Sequence, residues 1–132
     1  MLLLLLGGLE AQEPVKTPVV LPDPVLVVRL ENVEVTPDRK NLLAHVTVRN
    51  PARESQRVYW QDFLTLVSAG GELVRPPTDA GVDRGQGLVR TFGSFDLPAG
   101  RQARMVIYFP LQPADLPARL RLSDERETRP YR

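Results

Sequence analysis

Proline and glycine interrupt this chain so often that they constrain its fold more than any other feature. The 132 residues include 13 prolines and 9 glycines, and a proline inside a helix removes a hydrogen bond and clashes with the preceding turn. No stretch of about twelve residues keeps an uninterrupted helical spacing of apolar side chains. We therefore expect short strands joined by turns rather than long helices.

The composition argues against several classes of partner. The 17 basic residues nearly balance 16 acidic ones, for a formal net charge of +1, so neither nucleic acid nor an anionic membrane is an expected partner. The chain has no cysteine, so a hydrophobic core has to stabilise it without disulfides. Among the 17 basic residues only Lys16 and Lys40 are lysines, a bias that suggests a bacterial source.

Residues 1–11 look like a truncated export signal. The leucine run at residues 2–6 is much shorter than the roughly 20 apolar residues of a membrane-spanning helix. With its neighbours it approaches the roughly 7–15 apolar residues of a secretory signal. We expect residues 1–11 to be a signal peptide and the protein to be exported to the periplasm or cell surface. A terminal strand or a frayed apolar end is the alternative.

The rest of the chain divides into three parts. Residues 12–24 contain four prolines and are expected to form an extended leader. Residues 25–122 carry the strand patterns of one domain. Residues 123–132 have mixed charge and are expected to form a polar, frayed tail.

Alternating apolar and polar side chains predict most of the strands. In residues 42–49 and 103–109 every second residue is apolar, which is typical of a sheet with one wet face. The apolar phase of residues 25–35 slips near Glu31 and Asn32, which predicts a β-bulge. Further strands are expected within residues 57–67, 73–74, 88–97 and 118–122. About seven short strands predict an all-β, antiparallel, immunoglobulin-like β-sandwich, with a small closed barrel as the alternative.

Residues 75–87 show no apolar periodicity and are expected to form the longest irregular loop of the domain. Asp79 and Asp83 lie on either side of a glycine there and could offer oxygen ligands to calcium. The further acidic positions of a calcium loop are missing. A flexible polar loop is therefore favoured over an ion site.

Short motifs in a fixed order carry a family resemblance. They are Ala-His-Val-Thr-Val-Arg-Asn at 44–50, Asp-Phe-Leu at 62–64, Gly-Glu-Leu at 71–73, Leu-Pro-Ala-Gly at 97–100 and Ile-Tyr-Phe-Pro at 107–110. In this order the chain resembles the DUF4352-type, telokin-like extracellular domains of bacterial secreted proteins and lipoproteins. The resemblance implies an exported accessory domain with an immunoglobulin-like sandwich and no catalytic residues to carry over. The chain departs from the group in having no lipobox cysteine. It is also similar to small bacterial proteinase-inhibitor sandwiches.

The sequence offers little material for catalysis. The one histidine, His45, is expected on the outward face of a strand, whereas nucleophilic catalysis needs a hydroxyl and an orienting acid beside it. Zinc and copper sites need several imidazole or sulfur ligands. We therefore predict a protein that is not an enzyme and that has no cofactor and no metal site. A hydrolase acting through His45 is the least favoured hypothesis.

Aromatic and arginine side chains provide the candidate binding surface, because Trp, Tyr and Arg dominate interface hot spots. Burial between two sheets is nevertheless the favoured interpretation of Trp60. The possible partner-binding residues are Arg57, Tyr59, Trp60, Arg75, Asp79, Asp83, Arg104 and Tyr108. We expect a non-catalytic domain of the bacterial cell envelope that binds another protein through loops or an edge strand. Protease inhibition through residues 75–87 is the alternative.

Export makes a direct prediction about the mature chain. Signal peptidase cleavage removes the apolar segment, so intact-mass measurement of secreted material should find a chain without residues 2–6. A mature protein that keeps these leucines would show that the segment is not a cleaved signal.

Overall fold

The structure, a computed structural model, describes residues 17–22, 25–71 and 74–132. The predicted signal peptide and the first part of the predicted leader lie outside this range. The described residues form strands and two 3-10 turns, at Trp60–Asp62 and Pro113–Asp115, and include no helix long and apolar enough to cross a membrane. The strands are β1 (Val19–Pro22), β2 (Val25–Val35), β3 (Asn41–Arg49), β4 (Gln56–Val58), β5 (Leu64–Val67), β6 (Val74–Arg75), β7 (Asp79–Asp83), β8 (Leu88–Thr91), β9 (Phe95–Leu97), β10 (Gln102–Pro110) and β11 (Arg119–Leu122).

The strands form an antiparallel β-sandwich, as the alternating patterns predict. A six-stranded sheet has the order β1-β2-β3-β10-β7-β8. Against it pack a three-stranded sheet, β11-β5-β6, and a two-stranded sheet, β4-β9. The eleven described strands exceed the predicted seven, because two predicted strands are divided and two further strands, β1 and β7, lie in segments predicted as leader and loop.

Pairing of β3 with β10 forms the centre of the large sheet. Val46 lies opposite Met105 and Ala44 opposite Ile107, and all of these side chains are buried. Removing an Ile or Phe side chain from water contributes about 1.5–3 kcal/mol. The two most regular patterns in the sequence therefore supply the middle of the core.

The predicted bulge in β2 is confirmed. The register of β2 against β3 shifts between Leu30 and Asn32, so the residue between them, Glu31, has no partner on β3. The extra residue restores the apolar phase, because Leu30 faces Val46 on the core side and Val33 faces Ala44 two pairs further along.

Two predicted strands are broken at the same corner of the molecule. Residues 57–67 are divided by the 3-10 turn that begins at Trp60, and residues 88–97 are divided at Gly93, whose φ of 122° excludes most other residues. The indole nitrogen of Trp60 donates a hydrogen bond of 2.6 Å to the carbonyl oxygen of Gly93. This bond joins the two breaks. At each break the polypeptide passes from one sheet to another.

The expectation of an irregular loop at residues 75–87 is wrong. Its middle is β7, which pairs with β10 on one side and β8 on the other. The apolar pattern of β7 is weak because only Ala80 and Val82 face the core, and Gly81 adds no side chain to either face. Within the segment, residues 76–78 connect β6 to β7, and residues 84–87 form the turn from β7 to β8.

Both ends of the domain are better ordered than the sequence predicts. Residues 19–22 of the expected leader form β1, with Val19 buried against the core. In the expected tail, bridges join Tyr131 to Ala118 and Glu127 to Arg121, and Thr128 is buried. Residues 126–131 therefore act as a strap along the open side of β11.

Asn50 ends β3 and holds the turn that follows. Its side chain is fully buried, and its amide nitrogen donates to the carbonyl oxygens of Glu54 at 2.8 Å and Leu97 at 2.9 Å. Its amide oxygen accepts from the backbone N–H of Ala52 at 2.9 Å. One side chain thus ties the residues after β3 to β9.

Replacing Asn50 by Ala should therefore be costly. Asn50→Ala leaves buried backbone groups unpaired and should reduce the free energy of unfolding by about 2–4 kcal/mol, as measured by urea denaturation. The matched control is Asn32→Ala, an exposed position where a change within about 0.5 kcal/mol is expected. Equal effects of the two substitutions would contradict this role of Asn50.

Candidate protein-binding edge of the six-stranded sheet

The six-stranded sheet has two edges, and they differ in how they are protected. At one edge, β1 is preceded by Pro18 and ends at Pro22, and prolines limit the pairing of an edge strand because they lack an N–H donor. At the other edge, β8 contains no proline and pairs only with β7. In an antiparallel edge strand every second residue directs its N–H and C=O away from the sheet. β8 therefore presents free backbone donors and acceptors.

One edge of the three-stranded sheet is covered by the strap, and the other is formed by a very short strand. The strap bonds to β11, since the amide of Leu122 donates to the carbonyl of Arg126 and that of Thr128 to Leu120. At the opposite edge, β6 is only two residues long. Its Arg75 forms an ion pair with the buried carboxylate of Asp115. Among the described edge strands of four residues or more, β8 thus has neither a covering segment nor a flanking proline.

β8 also exposes apolar side chains. All of its residues are exposed except Thr91, which is partly buried. Val89 is 64% exposed, Leu88 is 51% exposed, and Phe92, directly after the strand, is 87% exposed. Scattered surface leucines are ordinary, but contiguous apolar residues on a free edge are typical of interaction sites or aggregation-prone strands.

The absence of a side chain at Gly81 determines where Leu88 lies. A β-carbon built at Gly81 would be 2.8 Å from Cγ of Leu88, so Leu88 occupies the space above this glycine on the outer face of the sheet. In this position Leu88 packs across β7 and also lines a groove with His45, Arg104 and Val106. The contact holds β8 close to the sheet.

The turn between β7 and β8 is held by Asp83. Its carboxylate accepts hydrogen bonds from the amides of Gly85 at 2.8 Å and Gly87 at 3.2 Å, and it contacts the guanidinium of Arg104 at 3.2 Å. These groups, first of all the Gly85 amide, lower the pKa of Asp83 below its ordinary value of 3.8. Asp83 is therefore a structural residue of the turn that leads into β8.

A second groove, of about 380 Å³, lies beside β8. Val82 and Val89 form a cross-strand pair on the core-facing side, and both line this groove with Phe92. Its charged lining residues are Arg84 and Arg90. The guanidinium of Arg84 lies 4.9 Å from the centre of the Phe95 ring, and that of Arg90 lies 5.0 Å from the centre of the Phe92 ring. The groove thus combines apolar side chains with two stacked cations.

The predicted binding residues do not form one surface. Trp60 is only 4% exposed, which confirms its favoured interpretation as a residue buried between the sheets, so it adds nothing to an exposed surface. Arg57 pairs with Asp96 at 3.0 Å and donates to the hydroxyl of Ser94 at 2.8 Å, within the two-stranded sheet. Tyr59 is exposed beside it.

Four predicted residues share the outer face of the large sheet. Asp79 lies opposite Tyr108, and Arg104 lies opposite Asp83. Asp79 also contacts the guanidinium of Arg90 at 3.0 Å. The calcium hypothesis for Asp79 and Asp83 has no geometric support, since each carboxylate contacts an arginine and no group of three or more metal-ligating side chains occurs among the described residues.

His45 lies on the outer face, as its alternation with the buried residues of β3 predicts. Its Nε2 is 3.0 Å from a carboxylate oxygen of Glu34. Thr47 lines the same open groove, but no hydrogen bond joins it to His45 in the described part of the chain. The pair therefore lacks the activated nucleophile of a hydrolase.

The sequence predicts one strand over residues 88–97, and the structure divides it into β8 and β9. The signal that was available is Gly93 together with the exposed Phe92, since a glycine inside a strand pattern marks a break or a bulge. Nothing local indicates that β8 lies at an edge, because edge position depends on the pairing of β7 with β10.

Asp83 predicts an acid-sensitive turn. Because its pKa is lowered in the folded state, its stabilising contribution is complete above the ordinary value of 3.8 and is lost as pH falls through the lower folded value. Amide exchange protection at Gly85 and Gly87 should therefore decrease on acidification, and Asp83→Asn should remove most of this pH dependence.

The matched control for this experiment is Asp38→Asn. The pKa of Asp38 is also lowered, first by the hydroxyl of Thr36, but Asp38 lies in the turn between β2 and β3. Its replacement should leave the exchange of Gly85 and Gly87 unchanged. The same loss of protection in both variants would show that Asp83 does not act locally.

No protein-family model matches this chain, and no curated protein is similar to it in sequence. The edge strand and its groove are therefore interpreted from their own geometry.

Proposed function

We propose that this chain is an exported, non-catalytic interaction domain of the bacterial cell envelope that binds another protein by strand addition along β8. The observation that carries the proposal is the uncovered, proline-free edge of β8 with three neighbouring exposed apolar residues, Leu88, Val89 and Phe92. In strand addition, an extended segment of the partner hydrogen-bonds to the free edge, and alternate side chains enter adjacent pockets.

The size of the edge indicates a moderate affinity. A strand of four residues offers a few backbone hydrogen bonds, each with a net contribution of about 0.5–1.5 kcal/mol. Burial of Val89 and Phe92 adds about 1.5–3 kcal/mol for each side chain. Association costs at least about 4 kcal/mol. The remainder is at most about 6 kcal/mol, so the dissociation constant is expected to be about tens of micromolar or weaker, which suits a reversible contact.

Three features of the sequence support the exported location. They are the leucine run at residues 2–6, the proline-rich residues 12–24, and the resemblance to DUF4352-type, telokin-like extracellular domains. The non-catalytic part of the proposal is supported by the surroundings of His45, whose hydrogen bond is to Glu34 rather than to a hydroxyl.

A protease inhibitor acting through residues 75–87 is less well supported. Such inhibitors present an exposed loop, whereas the middle of this segment is β7, a strand paired on both sides, and the turn at residues 84–87 is short.

Site-specific photo-crosslinking in the producing cells tests the proposal. A photoreactive amino acid at Val89 should give one discrete adduct with an envelope protein, because Val89 would lie against the added strand. Val20 is the matched control, since it is also a valine on an edge strand of the same sheet and is 63% exposed. No adduct is expected there.

Phe92→Asp should abolish the adduct at Val89, because a carboxylate replaces the most exposed apolar side chain of the site. Its thermal unfolding should be unchanged, since Phe92 makes little contact with the core. Equal adducts at Val20 and Val89, or an adduct at Val89 that survives Phe92→Asp, would contradict strand addition at β8.

A further inference from the structure

We propose that the segment bound by β8 is acidic: an extended peptide that places an apolar side chain between Val89 and Phe92 and carboxylates beside Arg84 and Arg90. This inference rests on the proposed function and specifies the chemistry of the partner at the same edge.

The first argument concerns which side chains of the partner reach the groove. Val82 and Val89 face the same side of the sheet, and Val82 is buried there. A strand added beside β8 would lie about 4.8 Å from it and direct alternate side chains to that side. Those side chains enter the groove of about 380 Å³ next to Val89 and Phe92, where an apolar group removes both residues from water.

The second argument concerns charge. Arg84 and Arg90 line the groove, and no carboxylate lines it. Arg84 stacks on Phe95 and forms no ion pair within the described residues. Arg90 stacks on Phe92 and contacts Asp79 through Nε. Stacking uses the face of a guanidinium and leaves N–H groups at its rim, which match the two oxygens of a carboxylate. The groove is therefore electrostatically complementary to an acidic segment.

The same charges disfavour a second copy of this chain as the occupant. Antiparallel pairing of β8 with β8 of another copy, centred on Arg90, would place the two Arg90 side chains opposite each other. Like charges placed across paired strands are destabilising. A different chain that supplies negative charge fits the edge better than this chain does.

Two synthetic peptides provide the test. The acidic probe is fluorescein-labelled Glu-Thr-Val-Glu-Val-Thr-Glu, and its twin carries Lys in place of each Glu. In fluorescence anisotropy at low salt, the acidic peptide should bind the full chain about tenfold more tightly than its twin, and added salt should reduce this difference. Phe92→Asp should weaken binding of the acidic peptide.

Charge reversal at the groove gives the sharpest comparison. Arg84→Glu should reverse the preference, so that the lysine peptide binds more tightly. The matched control is Arg53→Glu, an exposed arginine in the turn after β3, which should leave the preference unchanged. If Arg84→Glu loses thermal stability through its contact with Phe95, Arg90→Glu, whose side chain is 63% exposed, replaces it.

The possible failures are distinguishable. Equal binding of the two peptides, with loss of both on Phe92→Asp, would overturn the acidic partner and leave strand addition at β8 intact. An adduct at Val89 in cells, together with no binding of either peptide, would likewise overturn the acidic partner and leave strand addition at β8 intact. A stable dimer that excludes the peptides would assign the edge to a second copy. No peptide binding and no specific adduct would overturn both proposals.

Discussion

The structure depends most on one constraint, the registered pairing of β3 with β10. Each strand has nine residues, and they pair residue for residue from Asn41 with Pro110 to Arg49 with Gln102. A shift of one residue would move every buried side chain of this pair to the wet face. β2 then adds to β3, and β7 adds to β10, so the positions of both flanks follow from the central pair. The free edge at β8 is a consequence of this order, because β8 is the last strand reached from β10.

The parts of the fold that could be predicted are those in which one strand carries its own complete pattern. The alternation in β3 and β10 and the phase slip at Glu31 were sufficient for two central strands and a bulge. β7 could not be recognised, because Gly81 interrupts its pattern, and the packing of Leu88 over this glycine is set by tertiary pairing. For the candidate site, the sequence predicts only the kind of element involved, loops or an edge strand. Trp60 and Arg75 are among the predicted binding residues because such residues are typical of interfaces. In the structure, the side chain of Trp60 lies in the core, and that of Arg75 pairs with Asp115.

Three of the described edge strands are protected from pairing by different features. Prolines flank β1, the strap of residues 126–131 bonds along β11, and the short β6 is fixed by the ion pair of Arg75 with Asp115. Each device reduces unwanted pairing. β8 has none of these devices, although Leu88 and Val89 are exposed, so the described edges of the two larger sheets are unequally protected.

The strap contacts the residues that lead into β1, at the edge of the large sheet opposite β8. The guanidinium of Arg126 donates to the carbonyl oxygen of Thr17 at 2.9 Å, so the polypeptide enters β1 beside its own C-terminal strap. From β1 to β8 there are five inter-strand steps of about 4.8 Å, or about 24 Å across the sheet. Thr17, the first described residue, therefore lies at the margin of the sheet farthest from β8. A ligand that approaches β8 in the plane of the sheet would meet neither Thr17 nor the strap.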